Sequence, residues 1–344
     1  CSGFGRYHAR VRKKSIIKRQ PLLRRLKMKI LANDGISQSG IDALQQGGFE
    51  VITTKVAQVQ LEKFINEHQI DAILVRSATQ VRQELIDACP SIKLIGRGGV
   101  GMDNIDVDYA KDQGLHVINT PAASSSSVAE LVFAHLFGMV RFLHQSNREM
   151  PLEGDSRFKD LKKAYASGSE LRGKKIGIIG FGRIGQEVAK IALGLGMEVI
   201  ANDHFTESAP ITVEFFNGQR ITISIETTDL DTLLKESDFI SLHVPVQESY
   251  VIGKKEIEKM KTGVGIVNAA RGGVIDEMAL INAIETEKVK FAGLDVFEKE
   301  PAPEIQLLMN PELSLTPHIG AATIEAQDRI GTELATQIIA LLKA

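Results

Sequence analysis

Six residues near the middle of the chain, Gly180-Phe-Gly182-Arg-Ile-Gly185, limit its fold more than any other segment. They follow an apolar run of strand length (174–180) and open a stretch with Val188, Ala189, Ile191 and Ala192 at helical spacing. In that setting each glycine has a physical task. Gly180 makes a tight turn, Gly182 lets an external group approach the backbone, and Gly185 lets the helix pack closely on the strand. Short apolar, β-branched runs recur on both sides of this point. Before it they lie at 28–32, 49–53, 71–75, 93–97 and 115–119; after it, at 198–202, 239–244, 265–269, 291–296 and 313–316. Helical segments such as 57–68, with Val59, Leu61, Phe64 and Ile65, lie between them. Alternating strand and helix predicts parallel sheets covered on both faces. The exception is 211–225, where two β-rich runs flank Asn217-Gly218 and predict a hairpin.

The alternation breaks at 119–127, where Pro121 and a run of serines interrupt any continuous element. Ser127-Val-Ala-Glu130 reads as a capping box, so a helix is expected to start there and run to about Arg141. Residues 151–170 are polar and weakly periodic and are expected to be loop with a short helix; an amphipathic helix is expected over about 322–342. The glycine loop lies mid-chain with αβ units on both sides. The expected fold is therefore α/β with two Rossmann- or flavodoxin-like domains. A nucleotide-binding domain (124–318) is inserted in a discontinuous substrate domain (28–123 and 319–344).

A pyrophosphate fits the N-terminus of the helix after the glycine loop, where unpaired amides and the helix dipole favour an anion. The residues concerned are Gly180, Gly182, Arg183, Ile184 and Gly185. The next strand ends in Asp203, 18 residues after Gly185, the place of the acid that binds an adenosine ribose. A carboxylate there accepts from both ribose hydroxyls and repels a 2′-phosphate, so NAD is expected rather than NADP. The plain alternative is a glycine-rich turn that binds nothing; strand, helix and acid together favour the cofactor.

Three segments after apolar strands each carry one functional polar residue among turn formers: Arg271 in 268–277, Glu300 in 294–303 and His318 in 315–323. Carboxyl ends of parallel strands line the ligand crevice, so the three are expected to converge. Taken singly, each has an ordinary reading as a satisfied strand-end histidine, a solvated glutamate or a loop arginine. As a spaced set they read as catalytic. The segments "GFGRIG", "NAARGGVIDE", "LDVFEKEP" and "PHIGAAT" resemble the signatures of the D-2-hydroxyacid dehydrogenase family, in order and in spacing, and the resemblance covers about residues 28–342. It implies that His318 is the acid/base, that Glu300 orients it and stabilises the imidazolium, and that Arg271 binds the substrate carboxylate and polarises the 2-oxo oxygen. It also implies that Asp295 holds the nicotinamide end, with Val244, Ala269, Arg271, His318 and Gly320 beside the cofactor. The spacing selects Glu300 over nearby Glu298. No metal is expected, because the arginine supplies the electrophile.

In the first half, Arg76 and Arg97 end two strands, and Val100 and Gly101 lie in a glycine turn whose amides suit an anion. These segments resemble the phosphoglycerate-oxidising branch of the family, which implies 3-phosphoglycerate as substrate, with both arginines on its phosphate. Ion pairing inside an acidic protein is the alternative for each. Ala122-Ala123-Ser124 departs from the Gly-Asn common in relatives, which puts any contact from that asparagine in doubt. With the chain ending at Ala344, a C-terminal regulatory domain is not expected. The competing activities are hydroxypyruvate or glyoxylate reduction and, outside enzymes, an NAD-gated corepressor-like binding protein.

Charge narrows the partners. Residues 1–27 hold ten of the 41 Lys and Arg and no acid, and are expected to be a disordered extension outside the fold. The remainder has 31 basic against 43 acidic residues, a net charge of -12, which argues against a nucleic-acid surface. The two cysteines, Cys1 and Cys89, provide no disulfide framework, which fits a cytoplasmic protein, and no apolar run suggests a membrane partner. The family resemblance implies a homodimer or homotetramer built through the nucleotide domain.

Overall fold

The computed structural model of the chain describes residues 27–343. The expectation for residues 1–27 lies, apart from Lys27, outside the described residues. The first run of elements is β1 (Lys29–Ala32), α1 (Gln38–Gln46), β2 (Glu50–Ile52), α2 (Gln58–His68), β3 (Ala72–Val75), α3 (Gln83–Ala88), β4 (Leu94–Arg97), α4 (Val107–Asp112) and β5 (His116–Asn119). It forms a sheet of order β2-β1-β3-β4-β5 in which every neighbouring pair is parallel. The strands β1, β3 and β4 are almost wholly buried, as expected of a sheet covered on both faces.

The chain then crosses over through α5 (Ser125–Val140), α6 (Leu143–Glu153) and α7 (Phe158–Ala164). A second αβ series follows: β6 (Lys175–Ile179), α8 (Arg183–Gly194), β7 (Glu198–Asn202), the strands β8 (Ser208–Glu214) and β9 (Arg220–Glu226), α9 (Leu230–Glu236), β10 (Phe239–Leu242), α10 (Lys254–Lys259), β11 (Val264–Asn268), α11 (Glu277–Glu285), β12 (Val289–Leu294), α12 (Ile305–Leu308) and β13 (Leu313–Leu315). Its six-stranded parallel sheet has the order β13-β12-β11-β10-β6-β7. The chain then returns to the first sheet, and α13 (Ile324–Lys343) buries Ile330, Leu334 and Ile338 against Ile30, Leu74 and Leu94.

Strands β8 and β9 pair antiparallel around the expected turn. Gly218 adopts φ +81° and donates its N–H to the Phe215 carbonyl at 2.8 Å, the positive-φ step that a short hairpin loop requires. Helix α5 is apolar along most of its length and is buried among α8, β11 and β12, leaving only a narrow stripe with Glu130, Ala134 and Phe137 exposed. Among the described residues no single helix is long and apolar enough to cross a membrane.

One local expectation is corrected and one is extended. Helix α5 starts at Ser125, ahead of the expected cap at Ser127, because the Ser127 hydroxyl donates to the Gly320 carbonyl (2.7 Å) instead of capping its own helix. The 151–170 region holds the expected short helix, α7, and also the end of α6, a helix that was not expected. Helix α6 buries no residue and α7 buries only Leu161, so apolar periodicity did not mark them.

The seam between α1 and α13 is closest at Gly40 and Gly331. A Cβ on Gly40 would lie 2.8 Å from the Gly331 Cα and 2.9 Å from its carbonyl carbon, so the backbones themselves touch. Gly40→Ala must push the two helices apart, and overpacking of this kind costs about 1–3 kcal/mol. The melting temperature of Gly40→Ala is expected to drop by several degrees in circular dichroism; an unchanged transition would mean that the two helices separate freely.

Candidate active site

Strand order in the larger sheet reverses between β6 and β10, and the segments that leave these two strands meet at the sheet's carboxyl edge. Gly180, leaving β6, has φ +91°, and a Cβ on it would lie 2.5 Å from the His243 carbonyl oxygen. A Cβ on Gly185 would lie 2.2 Å from the Gly180 carbonyl oxygen, so helix and strand approach at contact distance. Around Gly182 the space is open: a Cβ there meets nothing within 4 Å. Gly182 caps α8 without a side-chain bond, which leaves the first amides of the helix available to an anion. Arg183 is exposed and Ile184 half-buried at that helix start.

Asp203 directly follows β7. Its Oδ2 accepts from the Phe181 N–H at 2.7 Å, and its Oδ1 from the N–H groups of Phe205 and Thr206 at 2.8 and 3.0 Å. Partial burial would raise its pKa, but these three amides outweigh burial and hold the carboxyl below the usual range. An ionised acid thus stands fixed beside the glycine loop. Open space over Gly182, free amides and a fixed carboxylate together fit a dinucleotide with unmodified ribose.

The carboxyl edges of the two sheets face each other across a cleft of about 510 Å³. Arg76, Arg97, Val100 and Gly101 line it from the smaller sheet. Ile184, Val244, Ala269, Arg271, Asp295, His318 and Gly320 line it from the larger one. Gly180, Gly182, Arg183, Gly185 and Asp203 are not on these walls; they continue from its Ile184 end.

The cleft gathers three guanidiniums, Arg76, Arg97 and Arg271, against the carboxylates of Asp103 and Asp295. Burial, together with repulsion from Arg271 and Arg76 and against attraction from Asp103 and Asp34, lowers the Arg97 pKa to about 10. Burial also lowers that of Arg76, with Asp34 opposing. Both guanidiniums stay charged at neutral pH, so these shifts measure an unfavourable setting for a cation. The buried Nε of each has no hydrogen-bond partner among the described residues. Asp34 does not neutralise them closely, because its carboxylate receives the N–H groups of Arg76 and Thr79 and the Thr79 hydroxyl. Arg271 pairs with Asp103 through Nε at 3.1 Å.

His318 Nδ1 lies 2.8 Å from Glu300 Oε2, and Glu300 Oε1 accepts from the Phe297 N–H at 3.0 Å. Burial would raise the Glu300 pKa, but the bonds from His318 and Phe297 and the charge of Arg271 hold it below the ordinary value. An ionised carboxylate only accepts, so Nδ1 carries a proton and Nε2 is the nitrogen free to exchange one. The His318 backbone is in the left-handed region, φ +54°. Asp295, expected at the cofactor, is engaged in holding this turn: it accepts from the Thr316 hydroxyl (2.6 Å) and from the N–H groups of Ile319 and Gly320 (both 2.8 Å). Glu300 is not on the arginine-lined cleft. It reaches His318 from a separate, mostly apolar cavity of about 400 Å³ with Pro301, Leu308 and Pro317. Glu298 is turned away and accepts from the Glu277 N–H.

Sequence reading passed over Asp103 and Gln327. Asp103 follows the glycine turn, and an acid two residues after Gly101 was the available signal. Gln327 lines the cleft from α13, donates to the Ala321 carbonyl at 2.6 Å and keeps a buried Oε1 without a partner among the described residues. Only the return of α13 to the first sheet brings it there.

Residues 133–320 match the family described as D-isomer specific 2-hydroxyacid dehydrogenase, NAD binding domain. The chain is 45% identical to a hydroxypyruvate reductase of Thermotoga maritima over 316 residues, 90% of this chain and 97% of that one. It is 41% identical to a D-3-phosphoglycerate dehydrogenase of Archaeoglobus fulgidus over 320 residues, 92% of this chain but only 58% of that one. The chain thus spans a little over half of that relative. Among solved structures it is similar to a glyoxylate reductase from Paecilomyes thermophila (TM-score 0.76, 31% identity, 92% of this chain and 96% of that one). It is also similar to a D-lactate dehydrogenase from Aquifex aeolicus complexed with NAD and lactic acid (TM-score 0.70, 31% identity, 92% and 95%).

Gly101 is what gives Arg271 its place. A Cβ there would lie 1.7 Å from Arg271 Nη2 and 2.7 Å from Asp103 Oδ2, both ends of flexible side chains. Gly101→Ala is therefore expected to fold normally but to displace the guanidinium. Losing one charge-assisted contact of roughly 1.5–3 kcal/mol should raise the KM for a 2-oxo acid about tenfold or more. Steady-state kinetics beside a melting curve checks this; a normal KM with a lowered melting temperature would contradict it.

Proposed function

Because the chain belongs to the D-isomer specific 2-hydroxyacid dehydrogenases, a family of NAD-dependent oxidoreductases, we propose that it oxidises 3-phospho-D-glycerate to 3-phosphooxypyruvate. The observation that carries this reading is the convergence of Arg76, Arg97 and Arg271 on one cleft where, among the described residues, Asp103 is the single carboxylate that pairs closely with them. A substrate with one carboxylate needs one such arginine. A substrate that also carries a phosphate needs further cations, since burying a phosphate unpaired is costly.

When bound, NAD supplies the acceptor for the hydride that leaves C2 of the substrate. The amides and glycines of 180–185 would hold its pyrophosphate, Asp203 its ribose, and Val244, Ala269 and Gly320 would flank it. Arg271 binds the substrate carboxylate and polarises the oxygen on C2. The turn at Val100 and Gly101 adds amide donors, and Arg76 and Arg97 take the phosphate. His318 removes the hydroxyl proton through Nε2, and Glu300 stabilises the imidazolium that forms. In the reverse direction the same proton returns to the alkoxide oxygen.

A second reading is reduction of hydroxypyruvate or glyoxylate. It is favoured by the near full-length match to the Thermotoga hydroxypyruvate reductase. Self-association through the nucleotide-binding half is part of the proposal. Helix α6 buries none of its residues, and Leu143, Met150, Leu152 and Phe158 leave an apolar strip open on α6 and α7.

The two substrates separate the readings. Arg76→Ala and Arg97→Ala are each expected to lower kcat/KM for 3-phosphoglycerate about tenfold or more, from roughly 1.5–3 kcal/mol per contact, while D-glycerate kinetics barely move. Equal losses on both substrates would favour the reductase reading. A second experiment concerns protons. Glu300→Gln keeps an acceptor but removes the charge that stabilises the imidazolium. The acid limb of the oxidation profile is expected to move to lower pH with kcat reduced, and an unmoved limb would remove Glu300 from the mechanism.

A further inference from the structure

Helix α5 is apolar along most of its length, yet His135 lies in its middle and is only 3% exposed. An imidazole in such a place is costly unless its nitrogens are bonded. Both are. Nδ1 lies 2.8 Å from the Ser314 hydroxyl on β13, and Nε2 lies 3.1 Å from the Thr316 hydroxyl just beyond it. Residue 293 on the neighbouring strand is glycine, and a Cβ there would lie 3.0 Å from the His135 side chain, so the ring has been given its room.

The direction of these bonds follows from their far end. Both oxygens of Asp295, itself 1% exposed, receive backbone N–H groups, as a carboxylate does. The Thr316 hydroxyl, 2.6 Å from Oδ1, therefore gives its proton to Asp295. Its oxygen must then accept from His135, which puts the ring proton on Nε2 and leaves Nδ1 to accept from Ser314. Burial, against the pull of Asp295, keeps the ring in the neutral form this arrangement needs. The chain of donors runs Ser314 to His135 to Thr316 to Asp295, and Asp295 grips Ile319 and Gly320.

His318 lies between the two points that Asp295 holds. Its left-handed backbone, φ +54°, is unfavourable for a residue with a side chain and persists only where neighbours enforce it. The N–H of His318 also returns to the Thr316 carbonyl at 3.1 Å. We propose that His135, acting through Thr316 and Asp295, is a positioning residue that holds the turn aiming His318 into the cleft. This rests on the reading of His318 as the acid/base.

The test uses the full chain with NADH and hydroxypyruvate as probes. Thr316→Val keeps the shape and removes the hydroxyl, and His135→Leu removes the donor to it. Each is expected to lower kcat about tenfold, the scale of a misaligned reacting group, with the KM for NADH within about twofold. Thr316→Ser, which restores the hydroxyl, should recover most of kcat. The double variant should be no slower than the worse single one, because both break the same relay. Full activity in Thr316→Val, no recovery in Thr316→Ser, or additive losses in the double variant would each overturn the proposal. So would losses that only track a lowered melting temperature and a raised KM for NADH. His318→Ala is the control: if it stays active, the acid/base reading itself fails; if it is inactive while Thr316→Val is not, only the relay fails.

Discussion

The cleft exists because two chain crossings between the sheets are locked to each other. The outgoing crossing runs through 120–127 and the returning one through 316–324. Ser127 donates to the Gly320 carbonyl at 2.7 Å, and Arg329 on α13 donates to the Ala123 carbonyl at 2.9 Å and to Ser126 at 3.3 Å. Parallel sheets present their ligand-binding loops at one edge only. Two such sheets make a site between them only if those edges are turned toward each other, and these bonds fasten the segments that turn them. They also explain why α5 starts where it does: the serine that could cap the helix is committed to the opposite crossing.

What the crossings bring together is electrostatically costly. The body of the protein is acidic, yet Arg76, Arg97 and Arg271 share one cleft, where burial and repulsion from Arg271 and Arg76 hold down the Arg97 pKa and burial holds down that of Arg76. Glycine makes the crowding sterically possible. A Cβ on Gly99 would fall 1.8 Å from Arg97 Nη1, and one on Gly101 would fall 1.7 Å from Arg271 Nη2. Charge that is unfavourable without an anion is stabilising with one, so the cleft is organised for a negatively charged ligand at the expense of the ligand-free fold.

The His318 turn shows the same economy on the other wall. One buried carboxylate, Asp295, ends several structural tasks at once: it receives Thr316 from the strand side and Ile319 and Gly320 from the crossing side. The acid expected to face the cofactor is thus also the anchor of the turn that carries His318. Glu300 approaches the ring from the apolar cavity rather than from the arginine-lined cleft, yet near enough for the charge of Arg271 to help keep it ionised.

Local chemistry was legible in the sequence where a residue type has one plausible task at one place along an alternating pattern. The glycines 180, 182 and 185, the acid at 203, the Asn217-Gly218 turn and the ordered Arg271, Glu300 and His318 were all of this kind, because strand period and turn chemistry are encoded by near neighbours. The parallel sheets followed from the same alternation. Other features had no local signal. Helix α6 buries nothing and so has no periodicity to read, and Ser127 satisfied a capping rule that a bond to a residue 193 positions away overrode. Asp103 on Arg271, Gln327 in the cleft wall and His135 behind Thr316 are contacts across 168 residues, between sheets or through a buried helix. Hydrogen bonds and charges act through space, and only the folded chain decides which distant groups are brought within their few ångströms of reach.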